Sequence, residues 1–180
     1  MKRSVFSFLL ILLAGATYCG AQVAPSATGR QLRIDAGGMG SLFSPDYGPN
    51  RLAGVGAYVD IRFTRWVQVE AEGRWLRYNQ YANIYQDNYL IGLREPIHTF
   101  WKATPYGKVL IGQGKMNFQY NYASGTFTDI AYGGGVDIKM SNRLTLRAFD
   151  FEYQQWPKWL PGEGGLYPYG GSVGIAYRVW

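Results

Sequence analysis

Residues 52–78 read LAGVGAYVDIRFTRWVQVEAEGRWLRY, and their spacing decides the fold. From Leu52 to Phe63, the residues Ala53, Val55, Ala57, Val59, Ile61 and Phe63 alternate with Gly54, Gly56, Tyr58, Asp60 and Arg62. From Trp66 to Tyr78, Val67, Val69, Ala71 and Trp75 alternate with Gln68, Glu70, Glu72 and Arg74. Successive side chains of a strand point to opposite faces, so a period of two predicts two strands, each apolar on one face and polar on the other. Thr64-Arg65 between them predicts a tight turn.

The same period recurs on both sides of this hairpin. Ile130, Tyr132, Val136 and Ile138 alternate with Asp129, Asp137 and Lys139, and Val173, Ile175, Tyr177 and Val179 alternate with Ser172, Gly174, Ala176 and Arg178. Weaker versions run over roughly 31–42, 88–96, 103–116 and 143–155, which makes eight strands. Nothing after residue 22 has the spacing of a long amphipathic helix. The connections alternate as well: 64–65, 96–102 and 141–142 are short, whereas 43–50, 79–87, 117–126 and 156–166 are longer and polar or aromatic. Short turns at one end and long loops at the other are the layout of a transmembrane barrel. The expected fold is therefore all-β, an eight-stranded antiparallel up-and-down transmembrane β-barrel. A soluble eight-stranded barrel would turn its apolar face inward. Here the polar face carries glycines and opposed charges, which suits a small crowded lumen, and the Val, Ile, Leu and Ala face suits lipid.

Aromatics give a second, independent signal. They form 17 % of the 180 residues, and many cluster near predicted strand ends. Phe63, Trp66, Phe100, Trp101 and Tyr177 lie on the short-turn side; Trp75, Tyr78, Tyr89, Phe118, Tyr120, Tyr153 and Trp156 lie on the long-loop side. Tyr and Trp prefer the headgroup zone, where the ring is apolar and its N–H or O–H stays wet. Two such belts a strand length apart are expected to be girdles.

Residues 1–21 read as a secretory signal peptide: Lys2 and Arg3, an apolar run from Val5 to Ala16, then Cys19-Gly20-Ala21 before a cut ahead of Gln22. The run falls short of the ~20 residues that span a bilayer. Its removal takes Lys2 and Arg3 out of the +6 total and leaves residues 22–180 as the barrel domain, without the chain's one cysteine. One cysteine excludes a disulfide framework and a thiolate zinc site.

With an exported start, eight strands and the ending AYRVW, the chain resembles the small OmpA/OmpX-type outer-membrane barrels over essentially its whole mature length. The resemblance implies insertion among outer-membrane lipid and lipopolysaccharide, and a last strand read by the barrel assembly machinery through a final aromatic and its apolar face-mates. Tyr177, Val179 and Trp180 stand where that signal belongs. By alternation the apolar row is Val173, Ile175, Tyr177 and Val179, so Trp180 reads as a one-residue extension.

The inward face carries Arg33, Arg62, Arg74, Arg94, Lys108, Lys139, Arg147 and Arg178 against an equal number of acids: Asp35, Asp60, Glu70, Glu72, Asp129, Asp137, Asp150 and Glu152. An eight-stranded lumen is filled by side chains, and confined charges must pair. Matched signs predict a salt-bridged plug, with Arg74, Lys108 or both bridging Glu70 and Glu72. The expected interior network comprises Asp35, Asp60, Arg62, Glu70, Glu72, Arg74, Lys108, Asp137, Lys139, Asp150 and Glu152. Arg147 and Asp150 have opposite parity, so either a bulge lies near Ala148-Phe149 or one of them faces outward.

Catalytic signals are thin. His98, the one histidine, falls in the 96–102 turn beside Glu95 and Thr99 with no serine. That excludes a multi-histidine metal site and leaves little for an enzyme. The glycine runs precede no helix and no lysine-hydroxyl pair, so they are not phosphate loops. Scattered cations argue against nucleic acid and suit anionic headgroups. The expectation is a non-enzymatic barrel without cofactor or metal, acting as envelope structure or as an adhesive surface through Tyr47, Tyr81, Tyr85, Tyr120, Tyr122, Trp156 and Trp159, which suit carbohydrate or protein contact. A lipid A-modifying enzyme and a narrow channel are the alternatives.

Overall fold

The computed structural model describes residues 32–64, 68–157 and 165–180. The strands β1 (Arg33–Ser44), β2 (Leu52–Arg62), β3 (Gln68–Tyr78), β4 (Tyr85–Pro96), β5 (Ala103–Asn117), β6 (Ser124–Lys139), β7 (Leu144–Gln155) and β8 (Tyr169–Arg178) close into a barrel in sequence order. Every neighbouring pair is antiparallel, including β1 with β8. The signal segment 1–21, Trp66 and Trp159 lie outside the described residues.

The barrel is inside out relative to a soluble protein. Val55, Ile91, Leu93, Ile111 and Val173 are each more than half exposed, whereas Glu70, Arg74, Asp150 and Glu152 are fully buried. Large exposed apolar surface and buried charge are both uncommon in water. A lipid solvent makes the outer surface favourable, and a closed ladder leaves no backbone group unpaired against it.

The connections 63–67, 97–102 and 140–143 join strands at the proximal end, where β1 begins and β8 finishes; 45–51, 79–84, 118–123 and 156–168 join them at the distal end. Two distal loops are shorter than the sequence suggests, because β4 and β6 begin at Tyr85 and Ser124. Asn117 pairs with both of these residues. These rungs stand above the apolar band with polar residues on both faces, so alternation does not mark them.

One extra residue in β7 resolves the parity conflict. Val136 pairs with Phe149 but Asp137 with Arg147, and across the other edge Asp150 pairs with Ser172 but Arg147 with Gly174. The bulge at Ala148 lets Arg147 and Asp150 both face inward, and both are buried.

In the last strand Val173, Ile175, Tyr177 and Val179 are exposed on the lipid face while Ser172 and Ala176 are buried. Pairing continues past Arg178. Val179 N–H donates to the Ile34 carbonyl at 2.8 Å, and the Trp180 carbonyl accepts from Ile34 N–H at 2.9 Å. Tyr89 and Tyr153 face outward distally, with Trp75 beside Tyr89 and donating Nε1–H to its hydroxyl at 2.9 Å. Tyr78 is exposed at the distal end of β3, and Trp101 and Tyr177 at the proximal end.

Trp156 does not belong to a girdle. It is fully buried against Met116 and Leu166, stacked on Phe127. The inward row Asp150, Glu152, Gln154 continues to residue 156, and Gly114 leaves room for the indole, since a Cβ there would lie 2.2 Å from the ring.

Candidate functional site

The lumen is stacked in layers, each supplied by the inward row of several strands. At the distal end Phe43, Leu52, Leu76 and Ile84 form one apolar cluster, and Met116, Trp156 and Leu166 form a second, with Tyr47 against both. Below them runs a ladder of side-chain amides. Gln86 Nε2 donates to Gln154 Oε1 at 2.9 Å, Gln154 Nε2 donates to Glu152 Oε1 at 2.8 Å, and Asn88 Nδ2 donates to Asp129 Oδ2 at 2.6 Å.

The central layer is ionic and bridges the barrel wall to wall. Lys108 on β5 places Nζ 3.1 Å from Glu70, 3.2 Å from Glu72, 2.8 Å from Asp150 and 3.1 Å from Glu152, and so ties β3 to β7. Arg74 donates to Glu72 at 2.8 Å and reaches across to Glu152 at 2.9 Å. Arg147 donates to Glu70 at 2.8 Å and to Asp60 at 3.2 Å. Arg94 donates to Asp60 at 2.6 Å and to Asp137 at 2.5 Å. Glu72, Asp150 and Glu152 bring their oxygens within 4.8 Å of one another, close enough for a metal ion. The Lys108 ammonium already stands among them and takes that role.

Aromatic rings complete this layer. The Arg94 guanidinium lies 3.6 Å over the Tyr106 ring and the Arg147 guanidinium 3.6 Å over the Tyr58 ring. Tyr106 Oη–H donates to Asp150 Oδ1 at 2.7 Å. Tyr58 fits because β1 has glycine opposite it: a Cβ at Gly37 would meet its ring at 2.6 Å. Sequence reasoning left Tyr58 and Tyr106 out of the site, although Tyr58 stands on the polar face of its strand.

Three residues expected in the network stand outside it. Asp35 belongs to a separate proximal group, held by Arg33 at 2.5 Å and 3.7 Å from Arg178. Arg62 meets an amide instead of a carboxylate; with the Gln68 carbonyl turned toward it, Nε donates at 2.7 Å. Lys139 ends the last rung of β6, is exposed, and makes no ion pair among the described residues. The signs are therefore matched in number but separated by height. Asp60, Glu70, Glu72, Asp129, Asp150 and Glu152 are buried with only Arg74, Arg94, Lys108 and Arg147, while the remaining cations collect at the proximal mouth. His98 is exposed there, edge-on to Phe100 at 4.8 Å, and the neighbouring Thr99 and Thr104 hydroxyls bond each other at 3.0 Å.

The comparisons agree with this architecture. A family model described as the outer membrane protein beta-barrel domain matches residues 7–178. Among solved structures the chain is similar to the N-terminal β-barrel domain of Pseudomonas aeruginosa OprF, with a TM-score of 0.60 at 10% identity, covering 82% of this chain and 99% of that one. It is also similar to Neisserial surface protein A, with a TM-score of 0.60 at 12% identity over 81% and 96% of the two chains. The outer membrane protein OprG from Pseudomonas aeruginosa gives 0.52 at 14% identity over 82% and 95%. At these identities the likeness concerns the fold alone. No curated protein matches the sequence.

Proposed function

The chain belongs to the outer membrane protein beta-barrel domain family, and from that premise we propose that it is a sealed, non-enzymatic barrel of the outer membrane that works through its distal loops. The observation that carries this reading is the lumen itself. Lys108 with its four carboxylates bridges the middle of the lumen, and two apolar clusters stand above it among the described residues, which supports a closed barrel. The membrane-spanning part is then a scaffold, and what the protein does falls to the surface it displays.

That surface has a defined shape. The Tyr120 N–H donates to the Ala82 carbonyl at 2.6 Å, and Asn117 Nδ2 donates to the Asn83 carbonyl at 2.7 Å, so loops 79–84 and 118–123 are fastened together. They present Tyr81, Tyr120 and Tyr122, all exposed, in loops that contain no charged residue. Such rings offer apolar faces with hydroxyl rims, suited to a carbohydrate or protein partner on another surface. Tyr47 and Trp156 turn inward and do not contribute. Outer-membrane lipid and lipopolysaccharide surround the wall, and the Tyr177, Val179 and Trp180 end of β8 is the segment the barrel assembly machinery would read.

The test has three arms. Purified protein in planar bilayers should show no steady conductance. Lipid A from cells with and without the protein should give identical mass spectra. Cells displaying the protein should adhere to glycan- or matrix-coated surfaces, and Tyr120→Ser with Tyr122→Ser should abolish the difference. Stable ion conductance from the wild-type barrel would remove the sealed-scaffold reading.

A further inference from the structure

Among the described residues, the proximal end of the lumen is open. Beneath Arg94 and Tyr106 lies a cavity of about 470 Å³, walled by the ends of β1 to β7 and the 97–102 turn. Its charged lining is Arg33, Arg62, Arg94, Lys102 and Lys139 against one carboxylate, Asp137.

That carboxylate is already engaged, bonded to Arg94 at 2.5 Å. Asp35 likewise holds Arg33. Arg62, Lys102 and Lys139 make no ion pair among the described residues. The sequence of residues 1–31 and 65–67 contains no Asp or Glu. Arg33 and Arg62 are moreover direct partners in the β1–β2 ladder, a placement in which like charges repel. Cations gathered in a concave, partly shielded mouth raise the local potential and concentrate anions. Guanidinium forks beside an ammonium match phosphate oxygens in both geometry and charge.

We propose that this vestibule binds a small phosphate-bearing oligoanion presented from the periplasmic side, with Arg62 and Lys139 as its principal contacts. The site opens inside the ring of strands and away from the lipid-facing wall, so a soluble ligand fits it better than a headgroup. It is distinct from the distal loop surface, and the floor formed by Arg94 and Tyr106 makes it a blind cup.

The experiment is a calorimetric titration of tripolyphosphate into the full barrel in phosphatidylcholine nanodiscs at low salt. Saturable one-to-one binding is expected, weakened about tenfold by Arg62→Gln and similarly by Lys139→Gln. Arg51→Gln at the distal end should leave it unchanged. Neither Arg62 nor Lys139 belongs to the central ion network, so folding, followed by heat-modifiable gel mobility, should persist in both variants. Discs containing phosphatidylglycerol supply a second arm. Unchanged tripolyphosphate binding there supports a soluble ligand; full competition keeps the phosphate site but assigns it to a lipid headgroup. Absence of saturable binding by the wild type, or equal binding by the Arg62→Gln/Lys139→Gln double variant, would overturn the proposal.

Discussion

Lys108 is the residue on which the central layer turns. Its ammonium is fully buried and faces four carboxylates, so its removal leaves like charges confined together with fewer cations. Replacing one partner of a buried ion group typically costs about 3–5 kcal/mol, and Lys108→Met, which keeps the unbranched stem and removes the ammonium, should fall in that range in a urea refolding titration into vesicles. Adding Glu72→Gln should cost less than the sum of the two single changes, because neutralising one carboxylate relieves the repulsion that the first change creates. A loss under about 1 kcal/mol, the range of an exposed pair, would mean that water reaches the layer. Trp156 poses a simpler question of the same kind. It fills the space over Gly114, so Trp156→Ala should cost about 3–5 kcal/mol by leaving a cavity. Trp75→Ala, on the outer face, should cost distinctly less in the same titration.

Among the elements, β7 shows most clearly what alternation reveals and what it hides. Arg147 and Asp150 conflict in parity, and that conflict pointed to a bulge or an outward charge; the register places the extra residue at Ala148. Deleting Ala148 restores strict pairing and leaves Arg147 and Asp150 two positions apart, so both still face inward, whereas deleting Ala71 from the regular part of β3 must turn either Glu70 or the Glu72 and Arg74 pair toward lipid. The expected outcome is that the Ala148 deletion keeps the folded, heat-modifiable band on a gel and the Ala71 deletion loses it. Loss of the band on deleting Ala148 would show that the bulge does more than set parity, and a folded Ala71 deletion would show that the ladder can absorb a shift. Trp156 illustrates the opposite failure. Its parity placed it inside, but its type and position beside a long loop suggested a girdle. In a lumen where glycine leaves room, parity is the stronger guide. The early starts of β4 and β6 were hidden for another reason: wet rungs such as Tyr85 and Ser124 need no apolar face, so they leave no periodic trace.

At the scale of the whole molecule, the fold was legible because the two faces have opposite solvents, and every strand repeats the same contrast. The membership of the lumen was legible too, by parity, and so was the bridging of Glu70 and Glu72 by Lys108, with Arg74 on Glu72, but the pairings across the barrel were not. Arg74 meets Glu152 and Arg147 meets Glu70 across the full width of the barrel, a distance in sequence that no local spacing encodes. The vertical separation of charge was also invisible in an equal count of signs; it emerges only when strand ends are set at one height, which gathers Arg33, Arg62, Lys139 and Lys102 around one mouth. That polarity bears on orientation. The proximal end carries the short turns and the cationic mouth, and the distal end carries the apolar seal and the tyrosine-bearing loops. If the distal end faces the medium, a cysteine introduced at Asn83 should react with an impermeant maleimide on intact cells, and one at Asn142 should react only after the envelope is opened. The purified barrel should label at both positions, because both lie in connections outside the strands. Labelling of Asn142 but not of Asn83 on intact cells would invert the molecule in the membrane. It would then also place the cationic cup in contact with the medium and withdraw the tyrosine surface from it.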